Sequence, residues 1–292
     1  MSDRKVFLIT GANSGFGHAI ARAAVDAGHM VIGTIRREAD RALIENLHSD
    51  RAKAFILDVT AFDQIDAVIG NIVQQHGAID VLVNSAGYGH EGVLEESPLE
   101  EMRRQLDTNL FGAVAVIKAV LPFMRERRQG HIVNITSMAG YVGLPGIAYY
   151  AASKFALEGI SNVLAKEVAA FGVKVIALAP GSFRTDWAGR SMVRSERSIA
   201  DYDAMFAPIR QARHDKHGRQ NGDPDRAAQV LLELVAMENP PVHLLLGRDA
   251  LSIARPALEA RLDEIKAWEH VTRSTDYPNI DRPAPRRIDH DG

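Results

Sequence analysis

A glycine-rich turn between a short apolar run and a helix-like stretch constrains the fold of this chain most strongly. Residues 5–9, with their apolar run, predict a strand buried on both faces. Glycines follow at positions 11, 15 and 17, and the spacing of apolar residues then predicts a helix that ends at Gly28. Glycines let a backbone approach a pyrophosphate, and a helix N-terminus offers free N–H groups. The stretch predicts a nucleotide-binding unit, with a glycine turn that binds no ligand as the alternative.

The same alternation of strand and helix continues along the chain. Further strands are predicted at 30–35, 52–57, 79–83, 131–135, 173–178 and 242–246. Helices are predicted at 39–47, 62–75, 98–127, 150–171, 223–237 and 250–270. Short links between alternating elements predict an α/β fold, a doubly wound parallel sheet of seven strands within one domain, 1–292. Sheets of this kind bind ligands at the carboxyl ends of their strands.

Composition excludes several classes of function. The net charge of −3 across 292 residues gives no basic surplus for nucleic acid or an anionic membrane. Cysteine is absent, which excludes disulfides and thiol nucleophiles and agrees with a reducing compartment such as the cytoplasm. The eleven histidines show no paired ligand spacing, so no metal site is expected. No apolar run reaches the length expected of a membrane span.

A tyrosine and a lysine four residues apart are the strongest catalytic candidates. On a helix, Tyr150 and Lys154 share one face, so the ammonium is expected to lower the pKa of the phenol. A phenol tuned in this way can act as a general acid or base, and the hydroxyl of Ser137 could hold a substrate oxygen beside it. Tyr149 is the rival phenol, but its spacing from Lys154 points it elsewhere. The alternative is a partly buried tyrosine near a solvated lysine.

The end of the second predicted strand bears on the choice of cofactor. NAD sites commonly place Asp or Glu near this point to bind a ribose hydroxyl, whereas this chain has Arg36 and Arg37. Forked guanidinium groups suit a 2′-phosphate, and Ser14 could add a hydroxyl donor. The expected cofactor is therefore NADP(H), with NAD(H) possible if both arginines are merely solvated.

Two polar residues elsewhere have both a structural and a functional interpretation. Asp58 follows the third strand, where it could meet an adenine or cap the next helix, although Thr60 is the better-placed cap. Asn109 lies in an otherwise apolar helical stretch. It could bond a backbone carbonyl in the core, or it could bend the helix and hold a water in a proton path.

The C-terminal third of the chain departs from the alternation. Residues 186–221 form a long polar and basic connection with interspersed aromatic and methionine side chains, which predicts a substrate lid. Residues 275–292 are rich in proline, arginine and aspartate and are expected to form a loose tail.

Several motifs together resemble the short-chain dehydrogenase/reductase family over about residues 5–247. They are the turn 10–17, the segment 84–87, Asn109, Ser137, the segment 150–154 and Pro180-Gly181. The resemblance implies a Rossmann fold with strand order 3-2-1-4-5-6-7. Segments 34–37 and 180–185 resemble the NADP-preferring branch with 17β-hydroxysteroid and retinol dehydrogenase-like enzymes. Ser85 stands where the family usually has a second asparagine that ties neighbouring strands together, so some stability could be lost there.

The resemblance also implies a role for each catalytic candidate. Tyr150 would be the acid/base, Lys154 would lower its pKa and bind the nicotinamide ribose, Ser137 would position the substrate oxygen, and Asn109 would anchor a water relay. The implied cofactor-binding residues are Thr10, Gly11, Asn13, Ser14, Gly15, Phe16, Gly17, Arg36, Arg37, Asp58, Val59, Asn84, Ala86, Gly87, Tyr150, Lys154, Pro180, Gly181, Phe183 and Thr185.

The implied reaction interconverts an alcohol and its carbonyl with NAD(P)(H), on a small and lipophilic substrate such as a steroid, retinoid or ketone. A homo-oligomer, dimer or tetramer, is expected through the helices near 98–127 and 150–171. The alternative is a silent NADP(H)-binding sensor or scaffold with the same fold.

Overall fold

The computed structural model describes residues 4–277. Most of the predicted loose tail, residues 278–292, lies outside the described residues. Its strands are β1 Val6–Thr10, β2 Met30–Ile35, β3 Ala52–Ile56, β4 Val81–Asn84, β5 Gly89–Glu91, β6 Gly130–Ile135, β7 Val173–Pro180, β8 Met192–Arg194 and β9 His243–Leu246.

Seven of these strands form one parallel sheet in the order β3-β2-β1-β4-β6-β7-β9. This order confirms the predicted α/β topology, because the two remaining strands lie outside the main sheet. Strands β5 and β8 pair with each other in parallel and were not predicted. Both are three residues long, which is too short for periodicity to reveal.

Helices cover both faces of the sheet. Their bounds are α1 Gly15–Asp26, α2 Arg41–Glu45, α3 Phe62–His76, α4 Leu99–Leu106, α5 Gly112–Arg127, α6 Ala148–Val168, α7 Asp203–Lys216, α8 Pro224–Ala236, α9 Arg248–Ala267 and α10 Glu269–Ser274. Phe7 and Ile9 of β1 pack into the core layer that contains α1 and α8. Leu8 points to the opposite face, into the layer that contains α3 and α5. This alternation explains why β1 is apolar throughout, since both of its faces are buried.

Two predicted segments differ in detail from the structure. The single helix expected at 98–127 is interrupted by a π-helical turn at Asp107–Phe111, which separates α4 from α5. The segment 186–221 is more ordered than a plain connection, because it contains β8 and the whole of α7. π-Turns inside α-helices are frequent at functional sites.

One helical stretch among residues 4–277, Leu99–Arg127, is long and apolar enough in composition to span a membrane. Its buried side chains include Val116, Ile117 and Val120, which pack in the core against the sheet. Core packing accounts for part of the apolar composition, since about a third of the most apolar part of this stretch is buried. By length and composition alone, this helix departs from the expectation that no apolar stretch reaches the length of a membrane span.

Candidate active site

A cavity of about 1110 Å³ opens at the carboxyl ends of the central strands. Its lining comes from the loops after β1, β2, β3, β4, β6 and β7, from the start of α6, and from the segment 182–220. A volume above 1,000 Å³ is at the upper end of the range for a single small-molecule site. The cavity can therefore hold a dinucleotide and a second small molecule together.

The glycine turn brings the backbone of β1 and α1 into close contact. Gly11 has φ +64°, and a Cβ there would lie 2.8 Å from the Cα of Ala86. A Cβ at Gly17 would lie 2.4 Å from the carbonyl oxygen of Gly11. Ser14 is the N-cap of α1 but makes no side-chain capping bond, and the first turn has no acidic residue. The first N–H groups of α1 thus remain available to an anion, as a pyrophosphate site requires.

Most of the predicted cofactor-binding residues line this one cavity. They are Gly11, Asn13, Ser14, Gly15, Phe16, Arg36, Arg37, Asp58, Val59, Ala86, Gly87, Tyr150, Lys154, Pro180, Gly181, Phe183 and Thr185. Thr10, Gly17 and Asn84 do not line it. Free helix N–H groups, small residues and unpaired cationic charge at the predicted 2′-phosphate position fit a nicotinamide dinucleotide.

Thr10 and Asn84 do not line the cavity but hold the strands and loop that border it. Thr10 Oγ1 accepts hydrogen bonds from the backbone N–H groups of Ser85 and Ala86, both at 3.1 Å. Asn84 Nδ2 donates to Asn134 Oδ1 at 2.9 Å, which links β4 to β6. The strand tie expected of an asparagine at position 85 is therefore made by Asn84, so Ser85 does not remove it.

The two arginines after β2 are not equivalent. Arg37 donates to both carboxylate oxygens of Asp40, at 3.0 and 2.8 Å, and Asp40 Oδ2 also accepts from Asn13 Nδ2 at 3.0 Å. Arg36 lines the cavity, is exposed, and makes no hydrogen bond or ion pair within residues 4–277. Of the two arginines predicted to meet a 2′-phosphate, Arg36 is therefore the one whose guanidinium has no partner among residues 4–277. Asp40 was missed by sequence reasoning, although its spacing of three from Arg37 could have indicated the pair.

Asp58 lines the cavity and turns the chain after β3. Its Oδ1 accepts from the N–H and the hydroxyl of Thr60, at 2.9 and 2.8 Å. Neither residue caps α3 with its side chain, since Ala61 is the N-cap. The expectation that Thr60 is the better-placed cap was therefore wrong, because Thr60 is held in a turn by Asp58.

Tyr150 is buried beside two other polar groups of the cavity. Burial raises the pKa of Tyr150 to about 12, and the nearby Ser137 hydroxyl and Trp187 indole only partly offset the rise. Ser137 Oγ accepts the backbone N–H of Ala139 at 3.1 Å. Tyr149 points elsewhere, as its spacing predicts, and its hydroxyl donates to the carbonyl of Ser97 at 2.7 Å.

Lys154 lies near Tyr150 but not beside its hydroxyl. Its Nζ donates to the carbonyl of Ile135 at 2.8 Å and lies 5.7 Å from the centre of the Tyr150 ring. Burial lowers the pKa of Lys154 to about 8, an effect that Glu158 partly opposes. The net pKa of Tyr150 is therefore raised rather than lowered, contrary to the expectation from the lysine alone. The shared helix face was predicted correctly, but burial outweighs a cation placed over the ring.

Asn109 lies on the π-turn and does not line the cavity. Its Nδ2 donates to the carbonyl of Tyr88 at 3.0 Å and to Ser153 Oγ at 3.2 Å, while its Oδ1 accepts the N–H of Tyr88 at 3.1 Å. Asn109 thus holds the loop after β4 against α6. This agrees with the structural alternative for Asn109, in which its side chain bonds a backbone carbonyl in the core.

Trp187, which sequence reasoning left unassigned within the lid, forms one wall of the cavity next to Tyr150. The two rings lie 5.1 Å apart at 56°. The buried Nε1–H of Trp187 lies close enough to the Tyr150 phenol to lower its pKa but does not meet normal hydrogen-bond geometry with any described residue. Leu144 and Ile147 complete an apolar wall around Tyr150. The one sequence signal for the position of Trp187 beside Tyr150 was the presence of aromatic residues in the predicted lid, 186–221.

Glu158 is a second buried group that the sequence did not single out. It follows Lys154 by one helical turn, and its Oε1 accepts from Thr136 Oγ1 at 2.5 Å. Its Oε2 accepts from the Tyr141 hydroxyl at 3.2 Å and lies 2.7 Å from His243 Nδ1. The carboxylate joins β6, α6 and β9 beneath the site. The sequence signal for Glu158 was its spacing of four residues from Lys154, which places the two side chains on the same face of α6.

We expect Glu158→Gln to lower the free energy of unfolding by about 1–2 kcal/mol, because a neutral amide weakens charge-assisted hydrogen bonds to three partners. Urea denaturation measures the change. Glu167→Gln is the matched control, since Glu167 is exposed on the same helix. Equal effects of the two substitutions would contradict a structural role for the Glu158 carboxylate.

Comparison with known proteins gives consistent matches. The sequence model of the short chain dehydrogenase family matches residues 5–194. Oxidoreductase BOA17 of Botryotinia fuckeliana is 36% identical over 92% of this chain and 98% of its own length. The 3-ketodihydrosphingosine reductase of Bacteroides thetaiotaomicron is 35% identical over 90% of this chain and 93% of its own length.

Solved structures agree with these sequence matches. A short-chain dehydrogenase from Streptomyces avermitilis is 41% identical with a TM-score of 0.88, over 94% of this chain and all of that one. A gluconate 5-dehydrogenase from Burkholderia cenocepacia, solved with NADP and tartrate, is 28% identical with a TM-score of 0.71, over 85% of this chain and 95% of that one. With the family's sequence model matching well over half of its length, the chain belongs to the short-chain dehydrogenase/reductase family of oxidoreductases.

Proposed function

We propose that the protein is an NADP(H)-dependent oxidoreductase that interconverts an alcohol and its carbonyl, with Tyr150 as the acid/base. The observation that carries the proposal is that the Tyr150 phenol and the uncapped N-terminus of α1 face one cavity. A nicotinamide bound there would supply or accept the hydride. The chain's own task is then to orient the carbonyl and to deliver or remove one proton.

The side chains around Tyr150 divide this task among themselves. In the reduction direction, the phenol donates its proton to the carbonyl oxygen as that oxygen gains negative charge. Ser137 offers a hydroxyl to the same oxygen, and the Lys154 ammonium stabilises the phenolate that remains. We assign cofactor binding to the cavity-lining residues of the glycine turn, to Arg36, and to Lys154 at the nicotinamide ribose. Asn109 contributes by holding the loop after β4 in place through its hydrogen bonds to Tyr88. A water relay anchored at Asn109 stays a proposal.

The apolar wall around Tyr150 supports a substrate with an apolar body. Leu144, Ile147 and Trp187 surround the position where a carbonyl would meet the phenol. Two kinds of relative, the 3-ketodihydrosphingosine reductase and the 3-oxoacyl-[acyl-carrier-protein] reductase of Vibrio cholerae, are named as reductases of ketone compounds. We therefore favour a ketone over a steroid or retinoid alcohol. Action on CH–OH donors, a lid at 186–221 and a homo-oligomer remain parts of the same proposal.

The direct test incubates the purified protein with NADPH and a panel of alkyl, aryl and cyclic ketones. Loss of the nicotinamide absorbance together with formation of the matching alcohol is the expected result. A protein that binds NADPH tightly and reduces no member of a broad panel would support the alternative, a sensor or scaffold that has lost turnover.

The pH dependence of this reaction follows from Lys154. Burial lowers the pKa of Lys154 to about 8, whereas the Tyr150 phenol keeps its proton up to about 12. Ketone reduction needs both the phenol proton and the ammonium, so we expect kcat/KM to fall above about pH 8, by up to about tenfold per pH unit. Alcohol oxidation needs the phenolate together with the ammonium, so its rate is expected to rise up to about pH 8 and to level off above it, where loss of the ammonium offsets the gain in phenolate. A reduction rate that stays constant from about pH 6 to 10 would contradict this role of Lys154.

A further inference from the structure

The indole N–H of Trp187 is a buried donor without an acceptor. Trp187 lies in a short 3₁₀ turn, Asp186–Ala188, and its Nε1 is shielded from solvent. Across the part of the chain that the structure describes, 4–277, no oxygen accepts this N–H in normal hydrogen-bond geometry. An indole has one donor and no acceptor, so this group can act only by donating. Buried polar groups are nearly always paired, and one that is not points to strain, a bound water or a functional role.

The group beside this N–H is the Tyr150 phenol. The two rings are 5.1 Å apart from centre to centre and inclined at 56°, and both side chains line the cavity. The indole and the Ser137 hydroxyl each lower the pKa of the phenol, although burial outweighs them and the net pKa is raised. A donor lowers a phenol pKa by favouring the phenolate. The Trp187 N–H therefore lies next to the oxygen that loses a proton in the proposed reaction.

The other polar groups near Tyr150 serve different positions. Lys154 Nζ donates to the carbonyl of Ile135 at 2.8 Å and lies 5.7 Å from the centre of the Tyr150 ring. In the proposed reaction, the Ser137 hydroxyl turns to the substrate oxygen. Trp187 is then the residue whose donor can stay with the Tyr150 oxygen after the phenol proton has left.

The backbone of β5 holds the indole in this position. A Cβ at Gly89 would lie 2.8 Å from Cε2 of Trp187, the ring carbon bonded to Nε1, so the strand packs directly on the indole. Gly89 also pairs with Met192 of β8. Thr185 Oγ1 accepts the backbone N–H of Trp187 at 3.4 Å. The indole is therefore packed between β5 and Tyr150, in a place that depends on the pairing of β5 with β8.

We propose that the Trp187 N–H donates a hydrogen bond to the Tyr150 oxygen as the phenol becomes a phenolate, which makes Trp187 a further catalytic residue. The inference rests on the proposed function, because it takes Tyr150 as the proton donor. In ketone reduction, the phenol O–H bond breaks, an O–H bond forms on the substrate oxygen, and the carbonyl carbon receives a hydride from NADPH. The negative charge is left on the Tyr150 oxygen, where the indole donor stabilises it without transferring a proton.

An apolar wall without this donor role would act on the substrate and not on the proton. Trp187 would then contribute buried area, and its loss would raise KM most for large ketones. A donor to the phenolate acts in the transition state, so its loss lowers kcat by the same factor for small and large ketones. Removal of the N–H without a change of shape distinguishes the two roles.

The experiment replaces Trp187 by β-(3-benzothienyl)alanine, in which a sulfur atom stands in place of the indole N–H. The substrates are the smallest and the largest alkyl ketone of the panel that the wild type reduces. We expect kcat for both to fall by about tenfold or more, with each KM within about threefold of the wild-type value, because a hydrogen bond to a developing charge is lost. Trp187→Phe should show the same loss of kcat together with a higher KM for the larger ketone.

Trp268→Phe is the control, because Trp268 is exposed and lies outside the cavity, and it should leave kcat and KM unchanged. An unchanged kcat in the benzothienyl variant would overturn the proposal. A loss confined to the larger ketone would do the same, since it would identify Trp187 as an apolar wall alone.

A spectroscopic measurement separates this inference from the proposed function. The chain has two tryptophans, so isotopic labelling of the indole nitrogens gives two N–H signals in the magnetic resonance spectrum, and Trp268→Phe assigns them. Tyr150→Phe removes the phenol oxygen and keeps the ring, so the Trp187 signal should move upfield while the Trp268 signal stays. If this shift is seen but no ketone is reduced, the donor contact stands while the proposed reaction fails. A Trp187 signal that Tyr150→Phe leaves unmoved overturns the inference whatever the outcome of the activity tests.

Discussion

Replacement of Tyr150 by phenylalanine should lower kcat for ketone reduction by about a thousandfold. Removal of a positioned general acid typically costs a factor of about 10²–10⁴. The phenol is the one side-chain hydroxyl that we place as proton donor, while the Ser137 hydroxyl, whose Oγ accepts the N–H of Ala139, only hydrogen-bonds the substrate oxygen. The phenylalanine ring keeps the contact with Trp187 and the apolar wall. We therefore expect the free energy of unfolding to change by less than about 1 kcal/mol.

Steady-state kinetics, NADPH titration and thermal unfolding of the same samples test this expectation. Tyr149→Phe is the matched control, since it removes a buried hydroxyl that bonds the carbonyl of Ser97 from the neighbouring position. The control should lose about 1 kcal/mol of stability and keep its turnover. Near wild-type turnover in Tyr150→Phe would remove Tyr150 from the proton path. Equal loss of turnover in both variants would indicate a shared structural cause.

Local sequence patterns predicted the sheet and the outline of the site well. Buried strands such as β1 and β4 are mainly apolar runs, and the glycine turn has few backbone solutions between a strand and a helix. The segment 150–154 lies on one helix, so the shared face of Tyr150 and Lys154 follows from the helical repeat. These features depend on residues close together in the sequence, which explains their predictability.

Contacts between distant segments were not predictable in the same way. The pairing of β5 with β8 joins residues about a hundred positions apart, and it brings Arg194 Nε within 3.3 Å of Glu91 Oε1. The raised pKa of Tyr150 is a property of burial, which sequence spacing does not give. Arg37 was predicted to meet a phosphate, but the carboxylate of Asp40 holds it. The strand pairing and the burial depend on tertiary structure, whereas the Arg37–Asp40 pair is local and was overlooked.

The separation of Arg36 from Arg37 makes cofactor preference testable at one residue. Arg37 and Asp40 form a paired unit, whereas Arg36 is exposed at the cavity rim and makes no hydrogen bond or ion pair with any described residue. An unpaired guanidinium can form forked, charge-assisted hydrogen bonds with a 2′-phosphate. The 2′-hydroxyl of a ribose without phosphate is neutral, so its hydrogen bonds to the same guanidinium are weaker. The preference for NADPH over NADH should therefore depend mainly on Arg36.

We expect Arg36→Asp to raise the Kd for NADPH by about a hundredfold or more and to change the Kd for NADH by less than about threefold. The substitution removes hydrogen bonds to a charged group, worth about 1.5–3 kcal/mol, and adds repulsion between a carboxylate and a phosphate dianion. Fluorescence titration with each nucleotide measures both constants. Added salt should weaken NADPH binding to the wild type more than to the variant, because salt screens exposed charges.

Arg37→Gln is the matched control for Arg36→Asp. Because the Arg37 guanidinium is already engaged by Asp40, its loss should change the NADPH-to-NADH preference by less than about tenfold. An unchanged preference in Arg36→Asp would mean that Arg36 is only solvated and that the protein uses NAD(H) equally well. A larger effect at Arg37 than at Arg36 would mean that the Arg37 guanidinium binds the phosphate, either through its free Nη1 or after release from Asp40.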